Sequence, residues 1–522
     1  MNPERGSADR SSKRGDFQAS AKVRFSPRFT TNPPRFHHQK TTFRTSFFAK
    51  SPTKTPLHHA GIFPRYHKKT RVTDFEDTIV AISTPPGRGG IGIIRLSGPA
   101  ARAIAEPLLK LRHPLAPAQA RFAEILDNTG ERLDEAVVTF FEKPHSYTSE
   151  DIVEIAAHSS PVLLDHLLRQ CLAAGARLAE PGEFTQRAFL SGRLDLTQAE
   201  AVNDLIQSTT LHQARIAAQQ LGGSLSRQIA PIKQQLITLI ATLEAGIDFA
   251  EDDIELLPDT EIAARIRSIQ APLTVLEQSF SYGRIVREGF TLAIVGRPNV
   301  GKSSLFNRLI ERDRAIVTAT PGTTRDLITE HVSLEGIPVQ LVDTAGLRHS
   351  DDEVESLGIA KSREAIAEAD VVLLVLDATT PANQHDLEMI STLGNRPFLI
   401  VINKSDLASA ESPTGRIFHP TLETSALIGD GLPELRRAIL SLFNKETPNT
   451  EGALLTNLRQ QGAVWTALSA LNRAQRAATA SIPHEMVLLD LSEALRALDA
   501  LTGTTTSEDI LNLIFSKFCI GK

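Results

Sequence analysis

The sequence predicts a multidomain α+β chain: an N-terminal α+β domain, an all-α helical domain that is discontinuous in sequence, and a Ras-like α/β P-loop domain inserted into it. Three observations predict this. Residues 290–310 run apolar strand, glycine-rich turn, helix. Helical periodicity brackets that segment on both sides. Upstream of both, short alternating strands are separated by single helical stretches over 77–175.

The first 72 of the 522 residues carry 16 Lys/Arg against three acids, and are rich in Ser, Thr, Pro and Phe without helical or strand period. That composition does not support a packed core. Three readings stay open: an organellar transit segment, a basic nucleic-acid-binding arm, or upstream sequence from a misplaced start codon. The last is preferred, because the prolines and the lack of an amphipathic helix weigh against the first.

From Asp77 the character changes. Strands are expected over 77–83 and 91–96 around the loop Thr84-Pro85-Pro86-Gly87-Arg88-Gly89-Gly90, a helix over 99–111, strands over 135–141 and 151–157, and a helix over 161–175 ended by its glycine. From 197 to 282 the pattern is helical throughout. Thr197-Gln198-Ala199-Glu200 fits a capping box, with Val202, Leu205 and Ile206 on one face. Pro258-Asp259 starts a further helix with Ile262, Ile266 and Ile269 in register. Helical pattern returns over 454–478, 484–501 and 507–518, the last capped by Ser507. The resulting division is 1–73 extension, 74–190 N-terminal domain, 191–285 and 445–522 the two parts of the helical domain, and 286–444 the P-loop domain. Insertion is economical because the termini of such a domain can lie close together at its surface.

The chemistry sits in the inserted unit. Gly296-Arg297-Pro298-Asn299-Val300-Gly301-Lys302-Ser303-Ser304 fits the phosphate-loop pattern. Backbone N–H groups of such a turn wrap phosphate oxygens, Lys302 reaches the β and γ oxygens, Ser303 ligates Mg2+, and the helix N-terminus adds its dipole. Asp343-Thr344-Ala345-Gly346 follows an alternating apolar stretch, where an Asp holds the Mg2+ water shell and a Gly brings a backbone N–H to the γ-phosphate. Asn403-Lys404-Ser405-Asp406 closes another strand. The Asp406 carboxylate can accept from the ring N–H and exocyclic amine of guanine, and adenine has no donor at that ring nitrogen. Ser425-Ala426 can support the base through its backbone. Pro321-Gly322-Thr323-Thr324-Arg325-Asp326 lies between these motifs, and a threonine hydroxyl there, assigned to Thr324, can complete the Mg2+ shell when the γ-phosphate is present. Four motifs in this order at strand ends predict a GTP hydrolase.

Leu347 follows Gly346 where Ras-type proteins carry a water-orienting Gln. Leucine cannot orient water. An Arg from a partner, a bound cation, or a carboxylate of Asp351-Asp352-Glu353-Val354-Glu355 must serve instead. Taken alone, that acidic segment reads first as a solvated loop and only second as a catalytic element.

Two cysteines, Cys171 and Cys519, match no metal spacing and no disulfide framework, as expected of a reducing compartment. No apolar run approaches the roughly 20 residues that span a bilayer, so a cytoplasmic protein is expected, or a mitochondrial one if the extension is a true transit peptide. After residue 72 there are 40 basic and 58 acidic residues. That balance offers no basic platform for RNA, which weighs against a ribosome-assembly GTPase. A signalling switch is the other alternative.

The chain resembles the tRNA modification GTPase family MnmE (TrmE) from about residue 75 to its end. The resemblance is carried by Asp77-Thr78-Ile79-Val80-Ala81, the loop 84–90, Pro181-Gly182-Glu183-Phe184-Thr185-Gln186-Arg187-Ala188-Phe189-Leu190, Leu194-Asp195-Leu196 and the terminal Phe518-Cys519-Ile520-Gly521-Lys522. It implies that 74–190 binds a methylene- or 5-formyl-tetrahydrofolate and makes a homodimer, with Arg95, Glu154, Arg193 and Lys522 as folate contacts. Arg193 stands where the family often has Lys. It implies K+ held by Asn299, Thr318, Thr320 and Thr323 in place of an arginine finger, and Glu355 orienting the attacking water through a second water, beside Thr324 and Gly346. It implies an FAD-dependent MnmG-type partner, a heterotetramer, and modification at C5 of the wobble uridine of tRNA. Cys519 reads as a nucleophile beside Lys522, as a small packed residue or as a wall of the folate pocket. His158-Ser159-Ser160-Pro161 replaces a family His-Gly-Gly-Pro, and is expected to add side chains near the folate pocket. Leu427 also departs from the family, at a position where backbone makes the contact.

Overall fold

The computed structural model describes residues 76–127, 129–248, 257–312, 328–343, 366–394, 396–407, 419–443, 453–505 and 507–522, all within the compact unit Arg71–Lys522. The N-terminal part is a seven-stranded sheet. Its strands are β1 (Ile79–Ile82), β2 (Gly89–Ser97), β3 (Leu109–Leu111), β4 (Ala120–Leu126), β5 (Arg132–Phe141), β6 (Ile152–Ser159) and β7 (Arg177–Leu178), in the order β3-β4-β5-β6-β2-β1-β7. Alternation sends Ile94, Leu96, Ile125, Val138 and Ile155 to one face, where Ile104 of α1 (Ala101–Ala105) and Leu164 and Leu167 of α2 (Pro161–Ala173) close a core. On the other face, Phe184 of α3 (Glu183–Leu190) packs on Ile79 and Ala81. Further along that face the cross-strand pair Phe122–Val137, and Leu133, remain exposed.

The helix expected over 99–111 is cut short. After α1 comes a 3-10 turn, Glu106–Leu108, and Leu109–Leu111 pairs with β4. Pro107 supplies no N–H for a continuing α-helix. The strand β4 has no counterpart in the sequence reading, because its outward residue Phe122 is apolar and blurs the alternation.

The helical part begins with α4 (Leu196–Gln207), α5 (Leu211–Leu221), α6 (Ser224–Asp248), α7 (Asp259–Gln278) and α8 (Phe280–Glu288). The capping box of α4 is Asp195 with Gln198, not Thr197 with Glu200. Asp195 accepts from the Gln198 N–H at 2.9 Å, and an Asp at this position caps more strongly than a Thr. Thr197 is buried in the first turn, and Glu200 is bonded to Arg459 at 2.6 Å. Ile206, expected on the apolar face, is exposed, and Leu196, Ala199 and Ala201 are buried instead.

Next comes a six-stranded sheet of β8 (Phe290–Val295), β9 (Ile328–Leu334), β10 (Ile337–Asp343), β11 (Val371–Asp377), β12 (Phe398–Asn403) and β13 (Thr421–Glu423), ordered β13-β12-β11-β8-β10-β9. Every pairing is parallel except β9 with β10. The continuous apolar run of β11 is buried along its whole length, as expected of a strand covered on both faces. α9 (Lys302–Arg312) and α11 (Leu432–Ser441) cover one face, and α10 (Gln384–Leu393) the other.

The chain then returns to helices, in α12 (Leu458–Thr479), α13 (His484–Thr502) and α14 (Glu508–Phe515). α12 starts later than expected, at the Asn457 cap, and Ser507 makes no side-chain cap bond to α14. One core joins both flanks: Leu225, Ile229, Ile262, Ile266 and Ile269 from before the six-stranded sheet pack with Leu471, Leu491 and Leu498 from after it. The crossings are adjacent. Leu455 N donates to Ser279 Oγ at 3.2 Å, and a Cβ on Gly283 would come within 2.1 Å of Leu455 O. Among the described residues no helix is long and apolar enough to cross a membrane.

Candidate functional site

The strand β8 lies between β11 and β10, and the chain departs to opposite sides of it. Ligands of open α/β sheets bind at this switch point, outside the carboxyl ends of the strands. The phosphate loop leaves β8 there. Gly296 (φ 143°) and Gly301 (φ 94°) are held in conformations that favour glycine, and a Cβ would come within 2.3 Å of Val375 O and 2.2 Å of Asn403 Nδ2 respectively. Asn299 also has a positive φ of 66°. Lys302 is buried, and its Nζ donates to Gly296 O at 2.8 Å and Arg297 O at 2.7 Å. Ser303 and Ser304 are exposed on the first turn of α9. Asp343 ends β10, its backbone in register with Ile294, so its position borders the root of the phosphate loop.

Asn403 ends β12 and is 1% exposed. Its Nδ2 donates to Val300 O and its Oδ1 accepts from Ala426 N, both at 3.0 Å. One amide thus fastens the phosphate loop to the Ser425-Ala426 loop. Asp406 Oδ1 accepts from Ser425 Oγ at 2.6 Å. Lys404 Nζ donates to Asp377 Oδ2 at 2.6 Å. Burial pushes the Asp377 carboxyl up, but hydrogen bonds from Lys404 and Thr379 outweigh it and leave the group below its ordinary value. Arg308 of α9 donates to the carbonyls of Ala426 (2.8 Å) and Leu427 (2.5 Å), so the contact at Leu427 is through backbone. Sequence reading missed Asp377 and Arg308. The end of β11 was the available signal for Asp377, because the neighbouring strands also end on polar residues. Thr318, Ala319, Thr320, Pro321, Gly322, Thr323, Thr324, Thr344, Ala345, Gly346, Leu347 and Glu355 lie outside the described residues, as does the whole extension before residue 76.

A second site lies on the N-terminal part. A cleft of about 690 Å3 is lined by Phe141, Tyr147, Ile152, Glu154 and Arg193 among others, a size usual for small-molecule sites. Arg95 and Glu154 face each other across β2 and β6, with Arg95 Nε donating to Glu154 Oε1 at 2.8 Å. Arg193, in the turn between α3 and α4, donates to Ser146 O. The structure therefore brings Arg95, Glu154 and Arg193 together. Lys522 does not line the cleft. It ends a tail that docks on the same part of the molecule, where Ser83 Oγ donates to Gly521 O at 3.2 Å and Ile520 bridges to Pro181. Cys519 is exposed. Phe515 and Phe518 anchor the tail against Phe189, Leu196 and Ala199. His158 and Ser159 lie at the end of β6 remote from Ile152, with Ser159 Oγ 3.4 Å from Gly87 O, so they are not cleft residues.

The motif around α3 has a structural use. Arg187, 1% exposed, binds Asp77, Glu150 and Glu183, and Arg177 binds Asp77 and Glu183. Removing one partner of such a buried network leaves an uncompensated charge.

With this geometry in hand, comparison decides the family. The model for the MnmE helical domain matches residues 196–519, and that for the GTP-binding protein TrmE N-terminus matches 78–193. The chain is 58% identical over 454 residues to the tRNA modification GTPase MnmE of Koribacter versatilis (strain Ellin345), covering 86% of this chain and 100% of that protein. The chain belongs to the MnmE family. MnmE of Acetivibrio thermocellus is 42% identical over 86% of this chain and 99% of its own length, and that of Aquifex aeolicus is 42% identical over 85% and 100%. Among solved structures, the G domain of the T. maritima FeoB iron transporter is similar over 29% of this chain and 98% of its own, at 24% identity and a TM-score of 0.23. The fold assignment rests on the sheet order itself.

Proposed function

We propose that this MnmE-family GTPase is K+-activated and works as a homodimer with an FAD-dependent MnmG-type partner. Together they add an aminomethyl or carboxymethylaminomethyl group to C5 of the wobble uridine of certain tRNAs. The added carbon comes from a methylene-tetrahydrofolate, with 5-formyl-tetrahydrofolate as a bound analogue. The observation that carries this reading is the pairing, in one chain, of a phosphate loop at a sheet switch point with a separate cleft that sets a carboxylate among guanidiniums.

Lys302 and the loop N–H groups bind the β- and γ-phosphates, while Asp406, Asn403 and the Ser425-Ala426 loop hold guanine. Ser303 and Thr324 would hold Mg2+, and Asn299, Thr318, Thr320 and Thr323 would hold K+. The exposed Ser303 and the positive φ of Asn299 support this fit. When bound, these cations offset charge developing on the phosphates. Leu347 cannot orient water, and Glu355 takes that role. In the cleft, Glu154 accepts from donors of the pterin ring, and Arg193 and Arg95 face its anionic tail, while Lys522 would have to reach that tail from the docked chain end outside the cleft. The exposed apolar Phe122, Leu133 and Val137 support a second copy docking on this sheet. GTP turnover opens and closes the G domains and does not itself transfer carbon.

Mass spectrometry of tRNA nucleosides from a strain lacking the protein tests the reading. Loss of the wobble modification is expected, and an unchanged nucleoside profile refutes it. Equilibrium binding of 5-formyl-tetrahydrofolate separates it from a ribosome-assembly or signalling switch, which would show none.

A further inference from the structure

We propose that Tyr147 is a positioning residue of the cleft. Its ring gathers the guanidinium groups of Arg95 and Arg193 so that both act, with Glu154, on one ligand. The inference rests on the folate reading above, and adds a residue that neither the motifs nor the comparisons single out.

Tyr147 lines the cleft together with Glu154 and Arg193. The two guanidinium carbons come from distant elements, β2 and the turn after α3, yet lie 5.8 Å (Arg95) and 5.3 Å (Arg193) from the same ring centroid. Cations at this distance are attracted to the negative face of an aromatic ring. The ring is itself fixed from α3, where its hydroxyl lies 2.9 Å from Oγ1 of the fully buried Thr185. Burial raises the phenol above its ordinary value, so the hydroxyl is neutral at working pH. Two further contacts complete the arrangement. Arg95 Nη2 is 2.7 Å from Glu154 Oε1, and Arg193 donates to the carbonyl of Ser146, the residue before Tyr147. Without the ring, Arg193 keeps only that backbone tether among the described residues, and Arg95 keeps Glu154 and the Phe184 ring, 5.6 Å from its guanidinium carbon, but loses the contact that draws it together with Arg193.

The test uses the full-length protein and 5-formyl-tetrahydrofolate, titrated calorimetrically at low and high salt. Tyr147→Phe keeps the ring and removes the hydroxyl. Tyr147→Leu removes the ring, and Tyr147→Met is a second ring-free variant that fills more of the site. Circular dichroism and thermal transitions verify that each is folded. The Phe variant is expected to bind within about threefold of wild type, and the ring-free variants about tenfold or more weakly, the loss of two cation–π contacts. The ring-free variants should also show a flatter salt dependence, because the cations no longer converge on the ligand's anionic end. Ring-free variants that bind within about twofold of wild type would overturn the assignment alone. So would a Phe variant as weak as they are, because the Thr185 clamp and not the ring would then be the device. A wild-type protein that binds no folate overturns the folate reading and this assignment with it.

Discussion

Replacing Asn403 by alanine is expected to loosen the nucleotide site from within. The side chain is 1% exposed and joins Val300 O to Ala426 N at 3.0 Å each. Its loss leaves one buried acceptor and one buried donor without their partner. Each such group costs about 1–3 kcal/mol, so the pair costs about 2–6 kcal/mol if neither loop moves. Loops at strand ends do move, and water then reaches both groups. The cost is thereby held near the lower end, about 2–3 kcal/mol, and is felt when the loops must close again on a nucleotide. That corresponds to roughly 30–150-fold in Kd. Fluorescence titration with a labelled GDP reads it directly. Asn403→Asp keeps the acceptor for Ala426 N but sets an oxygen and a buried charge against Val300 O, so it should bind no better than the alanine variant. A Kd for Asn403→Ala within about threefold of wild type would show that the two loops hold their places without this amide.

Asp406→Asn should lose GTP and gain XTP affinity, by roughly 1–3 kcal/mol for a hydrogen bond to a charged group, and unaltered GTP binding would refute the base-reading role. Glu355→Ala should lower kcat about 10²-fold with nucleotide affinity kept, in the range of a positioned catalytic base. A change of no more than about twofold would mark the acidic segment as solvated loop. GTP turnover should be much faster in K+ than in Na+ at equal ionic strength, and equal rates would remove the cation from the mechanism. Burial pushes the Cys171 thiol from 9.0 up to about 12, while Cys519 is exposed. The native state therefore favours the protonated Cys171, a contribution intact below pH 9 and lost as pH rises toward about 12. A thiol reagent at neutral pH should titrate one fast cysteine per native chain and two after unfolding. Two fast native thiols would contradict the buried placement.

What could be read from the sequence follows from how locally each feature is encoded. The strand, loop and helix over 290–310 were legible because a phosphate-binding turn needs glycines and a lysine at fixed spacing along one short stretch. The register of Ile262, Ile266 and Ile269 was legible because a helix repeats every 3.6 residues, and all three are buried. Long-range polar networks leave no such trace. Arg187 and Asp77 lie 110 positions apart in the chain yet are bonded, and nothing near either residue announces the other. Arg95, Glu154 and Arg193 entered the reading only through family resemblance, and Tyr147, which stands among them, not at all. The misplaced cap of α4 shows a local competition decided by geometry. Thr197 and Asp195 both suit a cap, and the side chain that reaches the Gln198 N–H sets the boundary.

The two crossings between the helical core and the six-stranded sheet are adjacent, the outgoing one through α8 to Gly289 and the returning one at residues 453–455, with Gly283 pressed against Leu455 O. Topologically, residues 290–452 are a cartridge plugged into a closed scaffold. The core that holds Leu225, Ile266, Leu471 and Leu498 is built from residues outside that cartridge. While the cartridge is in place, it grips the scaffold by a short seam beyond those two covalent links. There Thr210 Oγ1 donates to Gly336 O at the tip of the β9–β10 hairpin (2.5 Å), and Ile216 of α5 and Ile285 and Val286 of α8 pack into the core of the six-stranded sheet. At its far end the hairpin pairs Ile328 with Asp343, so a displacement there has a direct line along β9 and β10 into α5, whose end is held by Gln198 of α4. At its other end α4 begins three residues after Arg193, so one rigid rod joins the seam to the mouth of the cleft.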